Sequence, residues 1–196
     1  MIFEETYELI KRDYPGNIRD LCIADVRIGT YLTVVRLSDN SLGTSATMSD
    51  DLPVCAKGRR DFGDFTPLKI KGHNVSAILE TKKESGLISS LKTAVLSAIS
   101  SGIIRKGNYN VAGNCDPVQM LEFKPGDYVA VVGGFQSYIR KISLTGCRLT
   151  VLEKNENCLT ADQKVYYKPA EEYKNVLPMA GTVIITGQTI VNSTID

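Results

Sequence analysis

The sequence predicts two domains of different class, an α+β domain followed by a short α/β domain with a parallel sheet. In the first half, apolar and polar residues alternate over 31–37, which indicates antiparallel strands, and a helical pattern follows at 86–104. In the second half, near-continuous apolar strands alternate with helical segments, which favours a parallel sheet covered on both faces. Gly, Asn, Asp and Pro concentrate over 105–125, so the predicted domains are 1–112 and 113–196.

The first domain is predicted to begin with a helix and continue with strands. "FEETYELIKRDY" places Phe3, Tyr7 and Ile10 at helical spacing, and Pro15-Gly16 ends the pattern. Residues 21–48, with the turn "SDNS", predict two or three antiparallel strands. The segment 49–75 has little periodicity and predicts a loop or flap.

A second helix is predicted over "GLISSLKTAVLSAISSGII", ending near Gly102. One stripe of this helix is apolar and comprises Leu87, Leu91, Val95, Ala98 and Ile99. Another stripe consists of small residues, which allow close packing against a neighbouring element: Ser90, Ala94, Ser97 and Ser101.

The second domain is predicted to contain three strands, "YVAVVGG", "RLTVLEKN" and "GTVIITG", with the helix "QSYIRKISL" after the first. A connection rich in charge and tyrosine joins the second strand to the third. Three strands make a thin sheet with an exposed edge, which favours a homo-oligomer.

Composition limits the partners that we expect. The chain has 196 residues and a net charge of +1, without a basic run, so a nucleic-acid partner is disfavoured. No signal peptide is recognised and no apolar run is predicted to approach membrane-spanning length, so we expect a cytoplasmic protein that does not bind membranes. The five cysteines lack C-x-x-C spacing, which predicts free thiols in a reducing compartment.

The turn Gly133-Gly134 follows the first strand of the second domain, where a dinucleotide-binding protein would have G-x-G-x-x-G. The second and third glycines of that motif would fall at Phe135 and Tyr138, so NAD or FAD in the usual pose is disfavoured. Glu153, twenty residues after Gly133, ends the second strand, where an acid can bind a ribose hydroxyl. A charged residue at a strand end is also common without any ligand, and that alternative stays open.

The third strand ends at Thr186-Gly187, and the polar residues Asn192, Ser193 and Thr194 follow. Ligands of open α/β sheets lie outside the carboxyl ends of the strands, so these groups are expected to converge with the Gly-Gly turn. Asn192 or Ser193 as a simple helix cap is the alternative.

Two segments of the sequence carry candidate metal ligands. Cys115 and Asp116 in "GNCDPV", and Asp61 and Asp64 in "RRDFGDF", are the candidates, with a turn or loop role as the favoured alternative. His73 is the sole histidine of the sequence and is predicted to be solvated or satisfied in a loop. No paired nucleophile and base is recognised, so enzymatic activity is left open.

The motifs "VAVVGGF", "TVLEKN", "ADVRIGTYLTVV" and "GTSATM", and above all "MAGTVIITGQTIVNSTID", resemble the family called "putative heavy-metal chelation", long known as a domain of unknown function. The resemblance implies an enolase N-terminal-like domain, a Rossmann-like domain, and a metal or chelate site in the cleft between them. Members usually continue beyond the third strand, and they are expected to carry an Asn near Ser97. Positions that match the family's pattern are Gly133, Gly134, Glu153, Thr186, Gly187, Asn192 and Thr194, and Phe135 lies beside them.

Three functions therefore remain as hypotheses. The first is a protein that binds a heavy-metal ion or small metal chelate, with a role in metal chelation or homeostasis. The second is an enzyme that uses adenosyl-methionine or a related nucleoside, for instance in chelator synthesis. The third is a shortened, non-catalytic module that acts through assembly.

Overall fold

The structure, a computed structural model, describes residues 2–14, 16–48 and 69–195, and these form two compact units. Unit one contains residues 1–110 together with 187–196, and unit two contains residues 111–186. The units differ from the predicted domains, 1–112 and 113–196, chiefly in the last ten residues, which pack within unit one.

Unit one is an α+β structure, as predicted. In the described residues, helix α1 (Ile2–Asp13) precedes three strands, β1 (Ile23–Ile28), β2 (Leu32–Leu37) and β3 (Leu42–Ala46). Helices α2 (Val75–Leu79) and α3 (Gly86–Lys106) come later in the chain. The strands form an antiparallel sheet in the order β1-β2-β3. Tyr7 and Ile10 of α1 are buried at the spacing that predicted this helix. Its likeness to the enolase N-terminal domain stays a prediction.

Helix α3 is the central helix of unit one, and the predicted apolar stripe on it is buried in the core. Its small residues allow β3 to approach closely. A side chain added at Gly43 would place Cβ 2.1 Å from the Ala98 nitrogen and 2.2 Å from the Ala94 oxygen. The hydroxyl of Ser97 accepts a hydrogen bond from the Thr44 N–H at 3.3 Å. The Asn expected near Ser97 is absent, but the Ser97 hydroxyl itself forms a structural hydrogen bond between α3 and β3.

The predicted end of α3 at Gly102 is wrong, because the helix continues to Lys106. Gly102 is instead a close-approach position, since an added Cβ would lie 2.5 Å from the Ser41 hydroxyl oxygen. The turn that contains Ser41 packs on the last turns of α3. Its Asp39 carboxylate accepts hydrogen bonds from the Ser41 N–H at 2.9 Å and from Lys106 Nζ at 3.0 Å.

Asp39 is an acid whose surroundings favour the charged form. Partial burial alone would raise the pKa of Asp39. Hydrogen bonds from the Ser41 amide and hydroxyl, and then from the Lys106 ammonium, lower it by more, so the net pKa lies below its ordinary value. The Asp39 turn therefore ties the sheet to the carboxyl end of α3, where cations are also favoured by the helix dipole.

Helix α3 is long and apolar enough to cross a membrane by length and composition alone, so the predicted absence of such a run is wrong. In the structure, more than half of its apolar window is buried inside the protein, against β2 and β3. A core helix of a folded domain meets the same length and composition criteria.

Unit two is a Rossmann-like α/β structure, also as predicted. It contains β4 (Tyr128–Val132), α4 (Gln136–Ser143), β5 (Arg148–Glu153), β6 (Tyr167–Pro169), α5 (Tyr173–Val176) and β7 (Thr182–Ile185). The chain then enters α6 (Gln188–Val191), which packs on α3 and β3 in unit one. The four strands are parallel in the order β6-β5-β4-β7.

The predicted three-stranded sheet is therefore wrong by one strand, since β6 is too short at three residues to show a periodic pattern. One face of the sheet packs under α4, where Val129, Val131 and Ile139 are fully buried. The other face holds a smaller cluster of Ala130, Leu152 and Val176. At the β7 end, the side chains of Val183 and Ile185 are 37% and 44% exposed.

Candidate functional site

The candidate site is the edge of the parallel sheet in unit two at which the strands end, here called the carboxyl edge. If β4 is counted as strand one, the order β6-β5-β4-β7 is the 3-2-1-4 order of a Rossmann half-sheet. The chain crosses to β5 on one side of β4 and returns on its other side in β7. Ligands of such sheets bind at this switch point, outside the ends of the two strands.

Gly133 forms the β4 side of the switch point. Its φ of +107° is a conformation that L side chains rarely adopt, and an added Cβ would lie 2.9 Å from Thr186 Cγ2. The Thr186 N–H donates to the Val132 carbonyl at 3.0 Å, which fixes the end of β7 beside the turn. The predicted convergence of Gly133 with Thr186 is therefore present in the fold.

Helix α4 begins directly after the Gly-Gly turn. The N–H groups of Phe135 and Gln136 turn back onto the carbonyls of Gly133 and Gly134, at 2.9 and 2.8 Å. The next two N–H groups, those of Ser137 and Tyr138, lie in the first helical turn, where no intrahelical carbonyl is available. They place hydrogen-bond donors and the positive end of the helix dipole at the carboxyl edge.

Glu153 ends β5 on the other side of the turn. An added Cβ at Gly134 would lie 3.5 Å from Glu153 Oε2, so this carboxylate is adjacent to the turn, as predicted. Its second oxygen, Oε1, accepts hydrogen bonds from the N–H groups of Lys154 and Asn155 at 2.7 and 3.2 Å. Half of the carboxylate thus stabilises the start of the following loop and is not directed at a ligand.

The β5–β6 connection, residues 154–166, lies against the Gly-Gly turn, which the sequence did not predict. An added Cβ at Gly134 would be 3.3 Å from Cys158 Cβ. Gln136 Nε2 donates to the Cys158 carbonyl at 2.8 Å, and Gln163 Nε2 donates to the Gln136 carbonyl at 2.8 Å. No motif marks these glutamines, but a buried polar residue such as Gln163, 3% exposed, is informative once its burial is known.

The described contacts of Phe135 lie in the core of unit two and do not suggest a ligand role. Its ring packs against the core cluster under α4 and stacks on Tyr138, with the ring centroids 5.4 Å apart. Large side chains at these two positions thus contribute to the core of unit two.

Asp116 has a structural role in the described contacts. Its carboxylate accepts the Val118 N–H at 3.0 Å and pairs with the ammonium of Lys141, whose hydrogen bond lowers the pKa of Asp116. Cys115 is exposed, and its Sγ donates to the Gly113 carbonyl at 3.3 Å. Among the described residues, no three carboxylate, thiol or imidazole groups lie close enough to hold a metal ion. The predicted ligands Asp61 and Asp64 lie outside the described residues.

A shallow depression of about 550 Å³ lies at the opposite end of α4 and is a different feature. It is lined by Val118, Gln119, Leu121, Glu122, Phe123, Lys141 and Thr145. None of these residues belongs to the carboxyl edge. The site is assigned to the carboxyl edge because the switch point and the amide donors occur there.

Two family models match the chain, and both are described as "Putative heavy-metal chelation". One, DUF4213, matches residues 12–100, and the other, DUF364, matches residues 116–196. The chain belongs to this family. Its two halves thus correspond to the two domains of the heavy-metal chelation family, which confirms the resemblance found in the motifs.

Two solved structures share the fold of this chain. A protein of unknown function from the DUF364 family of Desulfitobacterium hafniense DCB-2 is similar, with a TM-score of 0.71, 17% identity and coverage of 98% of this chain and 70% of that chain. A DUF364 protein of unknown function from Pyrococcus horikoshii gives a TM-score of 0.66 and 17% identity, covering 100% of this chain and 70% of that chain. At this identity the similarity shows the fold alone. A search of curated proteins found no significant match.

The remaining positions that resemble the heavy-metal chelation family lie beyond β7. Gly187 directly follows Thr186, and an added Cβ there would meet no atom within 4 Å. Asn192 and Thr194 belong to unit one, where Asn192 Oδ1 accepts from the Thr194 hydroxyl at 2.7 Å and from its N–H at 3.3 Å. This is a local turn, so the described contacts give these two residues a structural role.

Proposed function

We propose that this protein binds a small metal chelate through the anionic oxygen atoms of the chelator, at the carboxyl edge of unit two. Membership of a family described by heavy-metal chelation supports the class of ligand. The observation that carries the proposal is the juxtaposition of the Gly133 turn, the end of β7 at Thr186 and the first turn of α4.

The chemistry of this edge favours an anionic chelator over a bare metal ion. Main-chain N–H groups at a helix start donate hydrogen bonds to carboxylate, phosphonate or similar oxygens, and the helix dipole favours negative charge. Transition metals instead require carboxylate, thiolate or imidazole ligands. The carboxylate beside the turn, Glu153, is half engaged by its own backbone, so the edge supplies donors for a chelator.

A nucleoside is the second candidate, and one observation favours it. Glu153 Oε2 lies close to Gly134, the position from which an acid at the end of the second strand can reach a ribose. An enzyme that uses adenosyl-methionine would need this carboxylate to bind the ribose hydroxyls. A Glu153→Gln change that leaves nucleoside affinity unaltered would refute this second candidate.

We also propose that the protein is cytoplasmic and forms a homo-oligomer. Four of the five cysteines lie in described residues, and all four are unpaired, which fits a reducing cytoplasm. A homo-oligomer remains a prediction.

Native mass spectrometry followed by calorimetric titration tests the function. The probes are the citrate complexes of Fe(III), Ni(II) and Cu(II), with free citrate and adenosyl-methionine as controls, and subunit number is read from the same spectra. We expect one metal–citrate complex per chain, bound at least tenfold more tightly than free citrate. Equal binding of free citrate and its complexes, or no binding of any complex at millimolar concentration, would contradict the proposal.

A further inference from the structure

We propose that Gln136 and Gln163 lock the β5–β6 connection against the Gly-Gly turn, and that this lock excludes nucleosides from the carboxyl edge. This inference depends on the proposed function only for the identity of the ligand that the site binds. The lock itself is defined by contacts within unit two.

The two glutamines act reciprocally. Gln136, in the first turn of α4, donates its side-chain Nε2 hydrogen to the Cys158 carbonyl of the connection at 2.8 Å. Gln163, in the connection, donates its Nε2 hydrogen to the Gln136 carbonyl at the same distance. Gln163 is 3% exposed, and its Oε1 accepts the Thr160 N–H at 3.4 Å, so both ends of its amide are engaged.

The connection that they hold covers the β5 side of the turn. Cys158 lies against Gly134, and Leu159, 5% exposed, packs into the core under α4. A ribose that reached Glu153 from β4 would have to pass between Gly134 and the connection, where Cys158 now lies. The side towards β7, formed by Gly133 and Thr186, is not part of this closure. The closed connection therefore lies across the route to the ribose position, and a nucleoside can bind there only when the connection opens.

A loop held by few hydrogen bonds is open in a fixed fraction of the molecules. The apparent affinity for a ligand that binds only the open form is proportional to that fraction. Removal of one such hydrogen bond should raise the open population about fivefold. We therefore expect Gln136→Ala to increase the amide exchange of residues 154–166 and the apparent affinity for adenosyl-methionine, each about fivefold.

Hydrogen exchange of the full chain, read by mass spectrometry, is the first measurement. Gln136→Glu is the matched variant, because it keeps the shape of the side chain but removes the donor. A negative charge at the start of α4 should also favour the helix. Exchange of residues 154–166 should rise in both Gln136 variants, while α4 stays as protected as in the wild type. Gln119→Ala, an exposed glutamine of the same unit, serves as the control and should change neither.

The second measurement is adenosyl-methionine binding by calorimetry for the wild type, Gln136→Ala and Gln119→Ala. Unchanged exchange over 154–166 in both Gln136 variants would overturn the lock, whether or not a chelate binds. Raised exchange without a gain in adenosyl-methionine affinity would overturn its role in selectivity. If metal–citrate complexes fail to bind while the exchange result holds, the proposed function fails and the lock stands.

Discussion

Gly43→Ala is expected to destabilise unit one strongly, because β3 and α3 are in backbone contact at this position. The added Cβ would lie 2.1 Å from the Ala98 nitrogen, 2.2 Å from the Ala94 oxygen and 2.7 Å from Ala98 Cα. Ordinary contacts of a Cβ begin at 3.4 Å. The strand and the helix must therefore separate by about 1 Å, since backbone atoms cannot rotate away as a side chain can.

We expect Gly43→Ala to lower the free energy of unfolding by about 3 kcal/mol or more, at the upper end of the range for overpacked cores. A typical domain has about 5–15 kcal/mol of stability, so this loss is a large part of the total. For a chain of this size it corresponds to a fall in Tm of about 10 °C. The backbone effect alone has the opposite sign, because replacing Gly by Ala at a compatible position stabilises a protein by about 0.4–1 kcal/mol.

Thermal and urea unfolding, followed by circular dichroism, measures this effect. Gly113→Ala is the matched control, since a Cβ there meets no atom within 4 Å, and it should unfold like the wild type. A Gly43→Ala variant whose unfolding free energy lies within about 0.5 kcal/mol of the wild type would refute the close contact between β3 and α3.

Three further predictions concern single residues. The pKa of Asp39 is depressed in the fold, so its contribution of about 1 kcal/mol is present above about pH 4 and lost as the pH falls through the folded pKa. Asp39→Asn should therefore be less stable than the wild type at pH 7, and the difference between their urea midpoints should shrink as the pH falls below about 4. Gly133→Ala should lose about 2 kcal/mol of unfolding free energy through its positive φ, whereas Gly187→Ala should change it by less than about 0.5 kcal/mol. Asp116→Asn should keep the wild-type affinity for metal–citrate complexes in calorimetry, and a loss of metal binding would instead support Asp116 as a ligand.

The class of each half could be predicted from sequence because its periodicity survives in the fold. The stripe of α3 and the apolar strands β4 and β5 are long enough for their spacing to distinguish helix from strand. Strand β6 escaped prediction because three residues show no period, and its pairing with β5 depends on tertiary structure. The sequence predicts a helix end at Gly102 because a glycine required for close packing resembles a glycine required at a helix terminus.

The candidate site was predictable only in its β-strand part. The ends of β4, β5 and β7 converge because parallel strands end at one edge, so Gly133, Glu153 and Thr186 could be anticipated. Gln136 and Gln163 could not, because their roles arise from hydrogen bonds between distant segments that carry no motif.

The central claim, that the carboxyl edge binds an anionic chelate through main-chain donors, is tested most directly by comparing Ser137→Pro with Ser137→Ala. Proline is tolerated in the first turn of a helix and removes the N–H at that position, whereas alanine keeps the N–H and removes the hydroxyl. Calorimetric titration with the metal–citrate complex that the wild type binds is the measurement, with melting curves to show that α4 is retained. We expect Ser137→Pro to weaken binding at least about tenfold and Ser137→Ala to bind like the wild type. Equal affinity of the two folded variants would contradict the account.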